Sequence, residues 1–477
     1  MRRMLILLGI LLLLAAVACT EDKGNYDYVP LNELTLEGMA ESYQVEKDSA
    51  FAISMTITGE TGFSEANYDF LWYAWNTLDE KSIPDTLSYE KNLDMVMSLP
   101  VGEYTLRYVV TDKETGVYYA AEADLSVINS FSKGVVALSR IEGGESDLTF
   151  INSVNTVTKH AYKEANAGIS AGMEPLGVYY LGGGYGTKNV LLIATEEKQM
   201  TVEPVDFTDY RSLAGWFYLE PEGTVEAFGT DGLDEYLIID GKAYSRTVYP
   251  SANPTGMYSY KIAGEYDLAP FVLEGSSIFF YDKEKHCFYF YPGWSGMIVA
   301  TSEGSAFNAA DTGMDMLYGQ TFEEDMRAVM VDDMGKRYMI SGLQTAEYDL
   351  DLAGYQPIIN AQRKLEMTQE GANEAISFTI SSKDPDFLYY AYENQIVCVS
   401  MLNGMELSRI TLDQTIDRIE FNEADNPELL YVAVSDGSET TDSGSIYFFE
   451  MASNGTLTEK AYFENVCGKV IDFEYKP

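Results

Sequence analysis

The sequence predicts an all-β protein: a small N-terminal β-sandwich followed by a seven-bladed β-propeller. Three observations carry this. The 477 residues are 46% hydrophobic and include 36 tyrosines, a globular, strand-favouring composition. The apolar runs are short and end in Gly, Asn or Asp turns. From residue 131 onward a strand, a tight polar turn and a second strand recur seven times, at a period of roughly 40–60 residues that is close to that of propeller blades.

Residues 31–128 carry the sandwich pattern. AFAISMTIT (50–58) alternates in part, YDFLWYAW (68–75) is a dense aromatic strand, GEYTLRYVV (102–110) is another, and residues 117–127 close the unit after the turn DKETG. Short strands with regular turns over roughly 100 residues indicate an immunoglobulin-like sandwich. Trp72 is the expected core tryptophan, and Trp75, of opposite parity, is expected on the other face of its strand.

Residues 131–477 carry the repeat. The seven turns are Gly143-Gly144, Glu196-Glu197, Asp240-Gly241, Asp282-Lys283, Asp333-Met334-Gly335, Glu393-Asn394 and the longer loop 436–443. Asn403-Gly404 and Asn454-Gly455 predict type I′ hairpin turns in the last two units. A ring of such units leaves only short strand edges exposed, and KVIDFEY (469–475) is expected to close the ring or finish the seventh blade. Two further sandwiches are the alternative to a propeller.

The N-terminus reads as an export signal over residues 1–18. Arg2 and Arg3 precede an apolar run over 5–14 and the small residues AAVA, too short and wrongly flanked for a permanent membrane span. Ala16-Val17-Ala18-Cys19 resembles the lipobox of bacterial lipoproteins, with alanine where leucine is commoner. The resemblance implies lipidation of Cys19 and anchoring in a membrane. Residues 19–30 (CTEDKGNYDYVP) read as a polar tether. Glu21 and Asp22, just behind the cysteine, resemble a surface-export signal of Gram-negative lipoproteins, which implies an outer-membrane, cell-surface location.

Charge and residue counts exclude several functions. A net charge of −44 is incompatible with a nucleic-acid footprint. Cys287, Cys398 and Cys467 lie far apart in apolar stretches, which suits small buried hydrophobes rather than a disulfide framework or zinc site. With only His160 and His286, no histidine-based hydrolase motif is formed. DTGMD (311–315) and DGSETTD (436–442) could hold calcium through oxygen ligands, but neither follows the EF-hand spacing and both also read as polar turns. No metal, cofactor or catalytic residue is expected. GISAG (168–172) lacks the strand-to-helix context of a nucleophile elbow, and LGGGYGTKN (181–189) fails the P-loop frame; both read as loops.

Aromatic residues on loops are the strongest ligand signal, because a flat ring stacks on a ligand at low entropic cost. Trp294 sits in YPGWSG, Trp216 follows Ala214-Gly215, and Tyr185 lies among glycines. Each is a candidate ligand-binding residue. The alternative for each is a ring capping the apolar edge between two blades.

With the strands placed, the chain resembles the PKD-like family of lipoproteins. The matching residues are Cys19 with its acidic neighbours, Gly24-Asn25-Tyr26-Asp27-Tyr28, the strand around Trp72, Leu99-Pro100-Val101-Gly102-Glu103-Tyr104, Val110-Thr111-Asp112 and Lys133-Gly134. The resemblance implies an accessory role in a Sus-like uptake system, beside a TonB-dependent transporter and a SusD-like lipoprotein, with a glycan or peptide as ligand. The family supplies no catalytic residues. The expected function is therefore a non-catalytic binding or accessory lipoprotein. A propeller hydrolase using carboxylates, or a protein-interaction scaffold or adhesin, are the alternatives.

Overall fold

A computed structural model describes residues 31–77, 83–131, 133–182, 188–249, 251–351, 353–438 and 440–477. The export signal, Cys19 and the tether lie outside the described residues, as does Tyr185. The chain divides into two compact units that meet between Asn129 and Ser130.

The first unit is a β-sandwich. Its main sheet has five strands in the order Ser42–Glu46, Tyr118–Ile128, Gly102–Asp112, Tyr68–Asn76 and Asp85–Ser88. Two short pairs complete it: Leu34–Glu37 with Thr56–Gly59, and Ala50–Ile53 with Leu93–Val96. The stretch 50–58 thus forms two strands rather than one, because its halves find different partners. Trp72 is fully buried, stacks on Tyr108 at 4.3 Å and donates from its indole N–H to the Glu90 carbonyl at 3.0 Å. Trp75, three residues on, is only half-buried. The Tyr104 hydroxyl donates to the Pro100 carbonyl at 2.8 Å, the back-reaching contact of an immunoglobulin-type tyrosine corner.

The second unit is a β-propeller. Its described strands form seven sheets. Each of the seven turns read from the sequence joins the second and third strands of a different sheet. Counting from the N-terminus, the inner strands are Lys469–Lys476, Pro175–Leu181, Val225–Thr230, the irregular segment 268–273, Asp315–Phe322, Ser377–Ile380 and Thr415–Asn422. The C-terminal strand Lys469–Lys476 pairs antiparallel with Gly134–Arg140 from the start of the unit. The first sheet is thereby built from both ends of the unit, which closes the ring.

Seven apolar cores, one between each pair of neighbouring sheets, hold this ring together. Residues of alternate parity on one strand face opposite neighbours. Leu191 and Ile193 pack with Val136, Leu138 and Phe150 of the first sheet. Val190, Leu192 and Ala194 pack with Val225, Leu237 and Ile239 of the third. The seventh sheet meets the first through Tyr431, Ala433 and Phe448 against Val135, Ala137 and Phe473. A strand buried on both faces needs an unbroken apolar run, which is why VLLIA shows no alternation. The three thiols sit in these cores or beside them, and burial raises Cys287 to about 11 and Cys398 to about 12.

Two turn expectations are corrected. At Asn403-Gly404 and Asn454-Gly455 only the glycine has positive φ, 73° and 78°. Asn403 and Asn454 instead use their side-chain oxygens to accept the amides of Met405 and Thr456. These are longer hairpin loops with one left-handed glycine, not type I′ turns. The type I′ conformation occurs at Asp240-Gly241, where φ is 43° and 67°.

Candidate functional site

The inner strands surround a central cavity of about 620 Å³. Its wall is uneven in character. One side carries Phe271, Val272, Leu317 and Phe378; the other carries Arg418, Glu420, Asp472, Glu474, Tyr179 and Glu226.

The polar side follows from how inner strands satisfy their open edges. An inner strand has one edge unpaired by any strand, so its N–H groups need other partners. Between the sixth and seventh sheets hydroxyls serve: Ser377 and Thr379 accept the amides of Ile419 and Phe421, each at 3.2 Å. Between the fifth and sixth, the Tyr318 hydroxyl accepts the Ile380 amide. Between the first and second, carboxylates do the same work. Asp472 Oδ2 accepts the Val178 amide at 3.1 Å and Glu474 Oε2 accepts the Tyr180 amide at 3.0 Å. The i, i+2 spacing places both acids on one face of their strand.

A carboxylate has an oxygen to spare where a hydroxyl does not. Asp472 uses its second oxygen, Oδ1, to accept from Arg418 Nη2 at 2.8 Å, and the same nitrogen donates to Glu420 Oε2 at 2.9 Å. Arg418 and Glu420, also i, i+2, project together from the seventh sheet. Glu474 also draws on the backbone amide of its neighbour Tyr475. Tyr179 reaches the same level because Gly177 leaves room for it; a Cβ at Gly177 would collide with the Tyr179 hydroxyl.

Arg418 keeps 37% of its side-chain surface open, so the cluster meets channel water while protein surrounds it on every side. Burial opposes the Arg418 charge, but Asp472 and Glu420 outweigh burial and raise its pKa. Burial raises Glu420 and Asp472 above the ordinary carboxylate range, against the pull of Arg418. Glu474, without a cation of its own, is raised well above 4.5 by burial, and Glu420 and Asp472 push it further. Burial and the Asp472 charge likewise raise Tyr179. The result is a crowded array of donors and acceptors, its carboxyl groups biased toward the protonated form, facing an apolar wall. Convergent polar groups in a cavity of this size are the usual form of a small-ligand site.

Of the residues expected from the sequence to bind ligand, Tyr185 lies outside the described residues, and neither Trp216 nor Trp294 lines this cavity. Trp216 is a correction. It is only 7% exposed and ends the short 3₁₀ turn Leu213–Trp216, which folds back between the second and third sheets. Its ring joins Leu192, Val225 and Leu237 in their shared core, its N–H donates to Thr201 Oγ1 at 3.3 Å, and the Arg246 guanidinium lies 4.9 Å from the ring. Such a ring wedges two blades together and is closed to ligand. Trp294 is 71% exposed, on the loop between Cys287–Tyr291 and Ile298–Val299 at the outer part of the fourth sheet. It packs against Tyr355 at 5.5 Å, away from the channel. GISAG is a loop, with the Ser170 hydroxyl turned onto the Gly172 carbonyl at 3.4 Å.

No curated protein matches the chain. The chain is similar to several solved structures at low identity. A quinonprotein alcohol dehydrogenase-like protein from Bacteroides thetaiotaomicron is 11% identical, with 90% of this chain and 97% of that one covered and a TM-score of 0.37. The Cps50 (Swd1) β-propeller domain of Myceliophteria thermophila is 9% identical, covering 68% and 99% with a TM-score of 0.43. Saccharomyces cerevisiae Sqt1 is 9% identical, covering 78% and 84% with a TM-score of 0.34. The PKD-like family model matches residues 19–175, a stretch that runs through the sandwich and into the first strands of the propeller, and over which the chain is similar to that family.

Proposed function

We propose that this protein is a non-catalytic binding lipoprotein that captures a polyhydroxylated ligand, a glycan, in the propeller channel. The observation that carries the reading is the meeting of Arg418, Tyr179, Glu420, Asp472 and Glu474 in one cavity opposite an aromatic wall. Planar carboxylate and guanidinium groups pair with adjacent hydroxyls, and an apolar wall accepts a sugar's C–H face. Asp472 and Glu420 are tied to a shared guanidinium, which suits an ordered hydrogen-bonding array better than a free general base. Cys19 anchors the protein in the outer membrane, exposed at the cell surface. There it serves a Sus-like uptake system beside a TonB-dependent transporter and a SusD-like lipoprotein. The family match over residues 19–175 and the lipobox-like sequence support this setting.

The test is a glycan and peptide binding screen of the soluble mature chain, followed by Tyr179→Phe. Loss of one hydrogen bond is expected to weaken glycan binding by about 2- to 10-fold while the melting temperature holds. Release of cleaved sugar would replace the reading with the hydrolase, for which Glu474, its pKa raised by burial, is the natural acid. Unchanged affinity would remove the channel from the site. Cys19→Ser is expected to free the protein from the membrane fraction or leave it uncleaved; a variant still lipidated and membrane-bound would refute the anchor.

A further inference from the structure

The third and fourth strands of the fifth sheet, Arg337–Asp349 and Gly354–Glu366, have thirteen residues each. They run well past the strand Asp325–Val331 on which their sheet is built. Near the tip Tyr348 and Tyr355 stand directly opposite each other. Their rings meet at 5.3 Å and 80°. Trp294, from the loop of the neighbouring sheet, also packs on Tyr355, at 5.5 Å and 54°. Buried Phe290 holds Tyr355 from beneath at 5.1 Å. The outer two rings stay open: Trp294 is 71% and Tyr348 50% exposed.

Trp294 and Tyr348 each lean on Tyr355 at a steep angle, 54° and 80°, so the trio is not a flat ledge, and the two exposed rings leave π-surface open to a cation. The surrounding charge agrees. Residues 287–326 and 338–362 contain no Lys or Arg and nine Asp and Glu, among them Glu303, Glu347, Asp349 and Asp351. Elsewhere the protein's own cations lie over rings, as Lys188 does over Tyr210 and Arg246 over Tyr258. Among the described residues none lies over Trp294, Tyr348 or Tyr355.

We propose that Trp294, Tyr348 and Tyr355 form a second binding site, separate from the channel, that takes an Arg or Lys side chain of a basic polypeptide. The rings supply cation–π contact and the acidic hairpin supplies the complementary field.

The probe is a capped tetra-arginine peptide, titrated into the mature chain at physiological salt. Trp294→Ala and Tyr348→Ala are each expected to weaken binding by about 3- to 10-fold, the scale of an exposed cation–π contact with partial desolvation. Tyr218→Ala, at an exposed tyrosine far along the chain, is the control and is expected to bind like wild type. Thermal melts of all three establish that the fold is retained. Equal loss in the control, or affinities in the two ring variants equal to wild type, would mean generic attraction to an acidic surface and overturn the proposal. So would a neutral oligosaccharide that binds wild type and needs Trp294 and Tyr348 where the peptide does not.

Discussion

Two of the propeller's glutamate-paired arginines, Arg246 and Arg418, live in opposite surroundings. The Arg246 side chain is wholly removed from solvent. Glu235 Oε2 lies 2.6 Å from its Nε, the Gly256 carbonyl 2.8 Å from its Nη1, and the rings of Trp216 and Tyr258 cover its faces at 4.9 and 4.7 Å. Tyr258 also donates to the same glutamate oxygen. Arg418, by contrast, faces water with over a third of its side chain and meets two carboxylates with one nitrogen. The first arrangement is closed to solvent and lies at the junction of two sheets. The second has acceptors in surplus around an open charge. Burial, not the pairing itself, separates a structural ion pair from a binding one.

The largest expected effect lies on the closed side. Trp216→Ala removes a ring that fills the core between the second and third sheets and uncovers the Arg246 guanidinium. It should cost about 3–5 kcal/mol, the range for deleting a core aromatic. Urea unfolding measures this. A loss under about 1 kcal/mol would mean the junction collapses around the gap and that Trp216 is not the wedge its burial implies.

The contrast also explains what could be read from the sequence. The seven hairpin turns were legible because each joins two strands buried on both faces, and such strands write unbroken apolar runs such as VLLIA and LLYVAV. The role of KVIDFEY as ring closer was legible because an unpaired apolar strand at the chain's end needs a partner. The channel site was not. Arg418 and Glu420 in IDRIEF, and Asp472 and Glu474 in VIDFEY, alternate with apolar residues as any half-solvated strand does. Only the ring topology brings the first and seventh sheets together and turns two solvated faces into one cluster. A signal was present nonetheless: two strands over fifty residues apart each carry charges at i, i+2 flanked by Ile and Phe. Trp216 and Trp294 were indistinguishable for a different reason. Both follow glycine- or proline-bearing turns, and whether a turn folds into a sheet junction or out from it depends on neighbours remote in sequence.

On the open side the expected effect is smaller and depends on pH. Glu474 has a folded pKa well above its ordinary 4.5, so the folded protein keeps a proton that the unfolded chain releases. Stability from this group is present below pH 4.5 and is lost as pH rises through the folded value. Glu474→Gln keeps an oxygen for the Tyr180 amide but cannot ionise. The variant should therefore equal wild type near pH 4 and become the more stable of the two as pH rises to 8. Urea titrations at pH 4, 6 and 8 read the slope. Parallel curves for the two proteins would show that Glu474 ionises freely in the channel.

The smallest expected effect is the stability of Trp294→Ala, and it tests whether exposure alone separates the two loop tryptophans. Trp294 touches Tyr355 but belongs to no core, and Pro292 with Gly293, at φ 88°, sets its turn without help from the ring. Removing it loses one partly solvated aromatic contact and leaves no cavity. The cost should stay below about 1 kcal/mol, several-fold less than for Trp216. Tyr355 rests on Phe290 whether or not Trp294 is present, so the hairpin should keep its position. A cost near that of Trp216 would mean that the ring clamps the long hairpin to the fourth sheet. The tilted trio would then be a joint between blades, and the comparison between the two tryptophans would collapse.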